Sequence, residues 1–236
     1  MLQTRVKSGI PGLDELIEGG FPRHRSILVC GDTGTGKTIF GLQFLVEGTW
    51  RGEPGVLVTV DEKPQHVIEE ARRFGWDLEG ASESRRVTLL DASPFFTDAR
   101  GRSGLDARQV ASDLVRQVRR VNAQRLVIDS LTSLIPDAAS PRREHDFFRS
   151  LLFSLDDNLG CTLVFTARAF AGEAPSDVCR TAELFVSGIV DLRMLSGGRS
   201  LSIRKMRGTR AEPLERRFDI LDGRGLVLRA PAQAVV

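Results

Sequence analysis

The chain has 236 residues, 41% hydrophobic and 27% charged, with a formal net charge of +2. This is enough chain for one well-filled α/β domain over 1–236, and no Pro- or Ser-rich linker divides it. Near-neutrality gives no argument for a nucleic-acid partner, and the lack of any apolar run of roughly 18–20 residues or of a leader-like N-terminus sets the expectation of a cytoplasmic protein with no membrane partner.

Residues 26–30, Ser-Ile-Leu-Val-Cys, form a short continuous apolar run, as expected of a strand buried on both faces. The next eight, Gly31, Asp32, Thr33, Gly34, Thr35, Gly36, Lys37 and Thr38, have the Gly-x4-Gly-Lys-Thr spacing of a phosphate-binding loop. Ile39, Phe40, Leu42, Phe44, Leu45 and Val46 then follow at helical spacing. In this strand–loop–helix context the glycines let backbone N–H groups turn inward, and the helix presents its positive end to the β- and γ-phosphates of a nucleotide. Thr33, Gly34, Thr35, Gly36, Lys37 and Thr38 are the candidate nucleotide-binding residues, with the Lys37 ammonium on the phosphates and the Thr38 hydroxyl on Mg²⁺. Lys7, Lys37, Lys63 and Lys205 are the only lysines in a chain where arginine is the default cation, and a compact ammonium fits between phosphate oxygens where a guanidinium fork does not.

A second strand, near 55–60, ends in adjacent carboxylates, Asp61 and Glu62. If the strand stays extended they point to opposite faces, so that one can orient or activate water at the γ-phosphate while the other meets solvent or a neighbouring subunit. The same residues with Pro64 also suit the first turn of a helix over 64–74. A third strand is expected near 87–91, and Ala107, Val110, Ala111, Leu114, Val115 and Val118 mark one stripe of a helix near 106–120. The run Arg125–Asp129 reads as a buried strand that delivers Asp129 at its carboxyl end, beside the loop if the two strands are neighbours; Asp129 is the candidate second anchor for Mg²⁺, with Ser130 next in line to orient a water. A helix near 143–158 and a strand near 162–167 follow, and Gly172, Pro175 and Ser176 mark 169–182 as a loop.

Beyond about 185 the pattern becomes that of antiparallel hairpins, with apolar runs at 189–192, 201–203, 218–220 and 226–228 punctuated by Gly197-Gly198 and Asp222-Gly223. Lys205 and Arg207 lie on one face of an extended strand, either as a solvated basic edge or as a finger pair delivered to the γ-phosphate of an adjacent subunit. The fold class is therefore α/β, a P-loop domain with a mostly parallel sheet flanked by helices and a C-terminal antiparallel extension. Basic residues gather between 199 and 217 and acidic ones around 61–79, a separation that suits head-to-tail contact between subunits. Cys30, Cys161 and Cys179 are widely spaced and read as small buried hydrophobes; His24, His66 and His145 are too isolated to be metal ligands.

These residues together resemble the RecA-type ATPases, and within them the KaiC-like branch. The phosphate loop and Asp129 are generic to P-loop proteins; the narrower likeness is carried by Gly9-Ile10-Pro11-Gly12-Leu13-Asp14, Gly19-Gly20-Phe21-Pro22, Glu53-Pro54-Gly55-Val56, Phe74-Gly75-Trp76-Asp77-Leu78, Leu90-Asp91-Ala92-Ser93-Pro94, Ile128-Asp129-Ser130 and Lys205-Met206-Arg207-Gly208. The resemblance implies an ATPase using ATP and Mg²⁺, a homo-hexameric ring with ATP between subunits, Lys205 and Arg207 acting on the neighbour's nucleotide, and a carboxylate pair activating water. KaiC-like sequences usually have two glutamates where this chain has Asp61 and Glu62, and KaiC itself has two fused ATPase halves, so autophosphorylation and clock function do not carry over. The expected function is Mg²⁺-dependent ATP hydrolysis that regulates or remodels a protein partner. A recombinase-like DNA-binding ATPase and a nucleotide-gated scaffold with negligible hydrolysis are the alternatives.

Overall fold

The computed structural model describes residues 4–92, 107–134, 141–169, 178–210 and 215–230. Nine strands form one sheet: β3 (Ser26–Gly31), β4 (Gly55–Thr59), β5 (Val87–Asp91), β6 (Arg125–Asp129), β7 (Thr162–Arg168), β8 (Gly188–Leu195), β9 (Gly198–Met206), β10 (Glu215–Leu221) and β11 (Gly225–Leu228), in the order β11-β10-β9-β8-β3-β7-β6-β4-β5. β1 (Arg5–Val6) and β2 (Phe21–Pro22) pair separately. From β8 to β5 neighbouring strands run parallel, and the pairs among β8, β9, β10 and β11 run antiparallel. The expected mixed α/β architecture is present, with one correction: the run at 189–192 is not part of a purely antiparallel extension, because β8 lies parallel to β3 on one side and antiparallel to β9 on the other.

Alternation along each strand divides the core. Ile27 and Val29 of β3 and Val127 of β6 face one cluster, while Leu28, Cys30, Leu126 and Ile128 face the other. The first is covered by α2 (Lys37–Arg51) and α3 (Pro64–Arg73), the second by α5 (Ala107–Arg120) and α6 (Pro141–Asn158). Two short helices, α1 (Leu13–Leu16) and α4 (Leu78–Glu83), and a 3₁₀ turn at Leu131–Leu134 add to the expected elements, each too short to leave a periodic signal. The loop expected at 169–182 is corrected in part: Val178–Ala182 is a helix, α7, while 170–177 lies outside the described residues.

Cys30 and Cys179 are buried as expected but are joined as a disulfide between β3 and α7 across a sequence separation of 149, which spacing along the chain could not reveal. Cys161 is a free buried thiol whose pKa is pushed up to about 12 by burial. Among the described residues no helix is long and apolar enough to cross a membrane, and no cluster of His, Cys, Asp or Glu forms a metal cage.

Candidate nucleotide site

The loop at 31–38 leaves the carboxyl end of β3 and enters α2 with Gly36 in the left-handed region at φ 104°; a Cβ there would also stand 2.9 Å from Ile220 Cδ1. α2 then crosses the sheet. Gly41 permits the crossing, since a Cβ on it would meet Val127 Cγ1 of β6 at 2.8 Å. The result places Thr38, in the first turn of α2, against Asp129 at the end of β6, with Thr38 Oγ1 donating to Asp129 Oδ2 at 2.7 Å. Asp129 is not on a strand adjacent to the loop strand: β7 intervenes, and its Thr166 hydroxyl donates to Asp129 Oδ1.

Around this junction lies a cavity of about 820 Å³, within the size range of small-molecule sites. Thr33, Gly34, Gly36, Lys37, Thr38, Asp61, Glu62 and Asp129 all line it. Thr35 does not: it is fully buried, with Oγ1 donating to the Asp32 carbonyl at 2.8 Å. Asp61 and Glu62 were expected on opposite faces of an extended strand. β4 ends at Thr59, the chain bends, and both carboxylates line the same cavity. Asp61 Oδ2 accepts from Ser130 Oγ at 3.0 Å, which ties the two carboxylate-bearing segments together.

Four further side chains were not foreseen. Glu70 and Arg73 of α3 line the cavity. Arg168, the last residue of β7, faces Asp32 with Nε 3.5 Å from Oδ1. Arg199, near the start of β9, donates from Nε to the Gly34 carbonyl at 3.2 Å. Each comes from an element that the topology, not the sequence spacing, brings to the loop.

Cations and carboxylates meet at this site. Burial lowers the Lys37 pKa, opposed by the Asp129 and Asp32 carboxylates, and Nζ donates to the Asp32 carbonyl at 2.9 Å. Asp32 is held below the usual carboxylate range, first by the N–H of Thr33, with desolvation opposing it and the Arg168 charge adding to the lowering. Glu70 is pushed up by burial and then by Glu62 and Asp129. Thr38 Oγ1 and the Asp129 carboxylate are hard oxygen donors converging on one point, the type of set that Mg²⁺ takes.

Lys205 and Arg207 are not in this cavity. Lys205 is near the end of β9, opposite a register shift in β8, and its Nζ donates to the Glu183 carbonyl at 2.7 Å. Burial and the Arg207 charge lower its pKa. Arg207 lies one residue past β9 and is exposed, so the common strand face expected for the pair is not formed within the strand. The Arg207 N–H bonds Ser187 O, and the Ser187 N–H bonds Ser26 O, which puts these cations level with the start of β3. The phosphate loop starts at the other end of that strand of 6 residues, roughly 17 Å away. The basic stretch 199–217 is thus no single face, because β9 carries Arg199 to the loop end of the strands and Lys205 to the opposite end.

The chain matches the family described as "ATPase: KaiC" over residues 6–233. A UPF0273 protein of Pyrococcus horikoshii is 36% identical over 248 residues, covering 96% of this chain and 94% of that protein. The circadian clock oscillator protein KaiC of Synechococcus elongatus is 36% identical over 229 residues, covering 93% of this chain but 43% of that protein. The crystal structure of a KaiC-like protein from Pyrococcus horikoshii superposes with a TM-score of 0.82 at 33% identity, covering 97% of this chain and 100% of the other.

Proposed function

Because the chain belongs to the KaiC family of ATPases, we propose that residues 1–236 act as a single cytoplasmic domain that binds and hydrolyses ATP with Mg²⁺ inside a homo-oligomeric ring, and that its nucleotide state regulates or remodels a protein partner. The observation that carries this reading is the division of the cations. Lys37 sits at the loop with Thr38 and Asp129, while Lys205 and Arg207 stand at the far end of β3, out of reach of their own protomer's phosphates. A second copy packed head to tail brings the two ends together, as a six-fold ring does without leaving an open edge.

In this reading the main-chain amides of 33–38 and the Lys37 ammonium bind the β- and γ-phosphates. Thr38 and Asp129 would hold Mg²⁺, which neutralises charge on the phosphate oxygens when bound. Glu62 faces the cavity and accepts a proton from the attacking water, while Asp61, engaged by Ser130, positions it. The neighbour's Arg207, with Lys205 beside it, stabilises charge that develops on the γ-phosphate.

The test is ATP turnover measured with Mg²⁺ and with chelator, alongside mass measurement with and without a non-hydrolysable ATP analogue. Metal-dependent turnover and a ring-sized species are expected. Full turnover by an isolated protomer would overturn the shared site; ATP-driven assembly without hydrolysis in a single-turnover assay would make the chain a nucleotide-gated scaffold.

A further inference from the structure

We infer that Arg5 is a positioning residue for the lent cation: its guanidinium fixes the turn that carries Arg207, so that this side chain meets the neighbouring protomer's nucleotide from a set direction. This rests on the shared-site reading above. Met206, Arg207, Gly208 and Thr209 form a turn closed by the Thr209 N–H on the Met206 carbonyl at 3.2 Å. Gly208 holds its third position in the left-handed region at φ 72°, where glycine is called for, and Arg207 takes the other corner. The Arg207 main chain is tied once more, by its N–H to Ser187 O at 2.9 Å. Among the described residues no hydrogen bond or ion pair reaches the exposed Arg207 guanidinium, so its direction is set by the turn beneath it.

Arg5 grips that turn from the other end of the chain. Its Nη1 donates to Thr209 Oγ1 at 2.5 Å and its Nη2 to the Gly208 carbonyl at 2.9 Å. The same fork donates to Glu18 Oε2 at 3.0 Å and to the Gly20 carbonyl at 3.4 Å, so one planar group joins the N-terminal segment to the lending turn. The grip has a firm base. Arg5 is paired with Pro22 between β1 and β2, and Gly20 lies so close to β1 that a Cβ on it would stand 2.3 Å from the Val6 carbonyl. Glu18 supplies the counter-charge, so Arg5 anchors the turn without adding an uncompensated cation beside Arg207. Neither Arg5 nor any of its four acceptors lines the nucleotide cavity of its own protomer, which leaves the turn as the route by which Arg5 acts on turnover.

Mixed rings of the full chain test the role by asking on which side of the interface Arg5 acts. Lys37→Ala protomers lend Arg207 and Arg207→Ala protomers offer an intact loop, so turnover regained on mixing comes from interfaces between the two. Arg5→Ala added to the lending protomer is expected to cut the regained turnover by roughly tenfold to a hundredfold, the scale of a catalytic group displaced by about 1 Å. Added to the receiving protomer, the same substitution is expected to change it by less than about twofold. A purely structural role would lower turnover alike in both placements. If Arg5→Ala does not assemble, as judged by ring mass, Arg5→Lys keeps a charge beside Glu18 without the fork and makes the same comparison, with the same one-sided loss expected. Equal loss in both placements, or no loss in either, overturns the positioning role while leaving the shared site in place. No regained turnover in the mixture with Arg5 intact ends the shared-site reading and this inference with it.

Discussion

Thr38 Oγ1 donates to Asp129 Oδ2 at 2.7 Å although β7 separates the strands that lead to these two residues. The contact exists because α2 crosses the sheet at close range over Val127, and Thr166 of the intervening strand steadies the other carboxylate oxygen. Asp129→Asn keeps the shape but removes the anion that a divalent cation needs. It is expected to lower kcat by about a hundredfold or more while apparent affinity for the nucleotide base and sugar is kept. Turnover titrated with Mg²⁺ checks this; unchanged kcat at saturating metal would remove Asp129 from the metal site.

The two adjacent carboxylates are not equivalent. Ser130 donates to Asp61, whereas no hydrogen bond reaches the Glu62 carboxylate among the described residues. A carboxylate with free lone pairs is the better proton acceptor for water. Glu62→Gln is accordingly expected to reduce turnover by about 10²- to 10⁴-fold, the range of a lost general base, and Asp61→Asn by distinctly less. Single-turnover hydrolysis with nucleotide prebound separates the two variants, and a larger loss from Asp61→Asn would reverse the assignment.

Stability rests in part on a buried ion pair far from the phosphates. Arg125 is fully buried: Nε and Nη2 donate to Glu53 Oε2, Nη1 donates to the carbonyls of Lys7 and Phe44, and the guanidinium lies 4.5 Å from the Phe44 ring centroid. Burial tends to raise the Glu53 pKa, but hydrogen bonds from Arg23 and Arg125 outweigh it, so the carboxyl titrates below its ordinary value. A lowered carboxylate pKa adds stability that is present above the unfolded value and is lost as pH falls through the folded one. Glu53→Gln leaves Arg125 buried without its counter-charge and is expected to cost about 3 kcal/mol near neutral pH. The deficit should shrink as pH falls below about 4.3, where the carboxylate of the unfolded chain takes up its proton first, and go on shrinking through the lower value of the folded chain. Chemical denaturation at several pH values measures both.

What could be read from the chain was what lies close together along it. The phosphate loop, the strand that ends at Asp129 and the adjacent pair Asp61 and Glu62 are each contiguous, and apolar runs with helical or strand spacing announced the main elements of the sheet and its covering helices. Contributions that depend on strand order were hidden. Arg168 matters because β7 is inserted between β3 and β6, Arg199 because β9 returns its start to the loop, and Cys30 meets Cys179 across a sequence separation of 149. Likewise, the alternation rule put Asp61 and Glu62 on opposite faces only for as long as the strand continued, and β4 stops at Thr59.

The separation of Lys37 from Arg207 by the length of β3 makes complementation between protomers the sharpest trial of the shared site. Lys37→Ala removes the loop ammonium but leaves Arg207 to lend. Arg207→Ala keeps the loop but lends nothing. Each variant alone is expected to lose turnover, by about 10³-fold or more for the arginine by analogy with other finger arginines, with nucleotide binding kept in Arg207→Ala and impaired in Lys37→Ala. Mixed in equal amounts and allowed to exchange subunits, about a quarter of randomly formed interfaces join an intact loop to an intact arginine. Turnover should therefore recover to a corresponding fraction of the unaltered ring. No recovery, in rings shown by mass to contain both variants, would mean that Arg207 does not act across the interface.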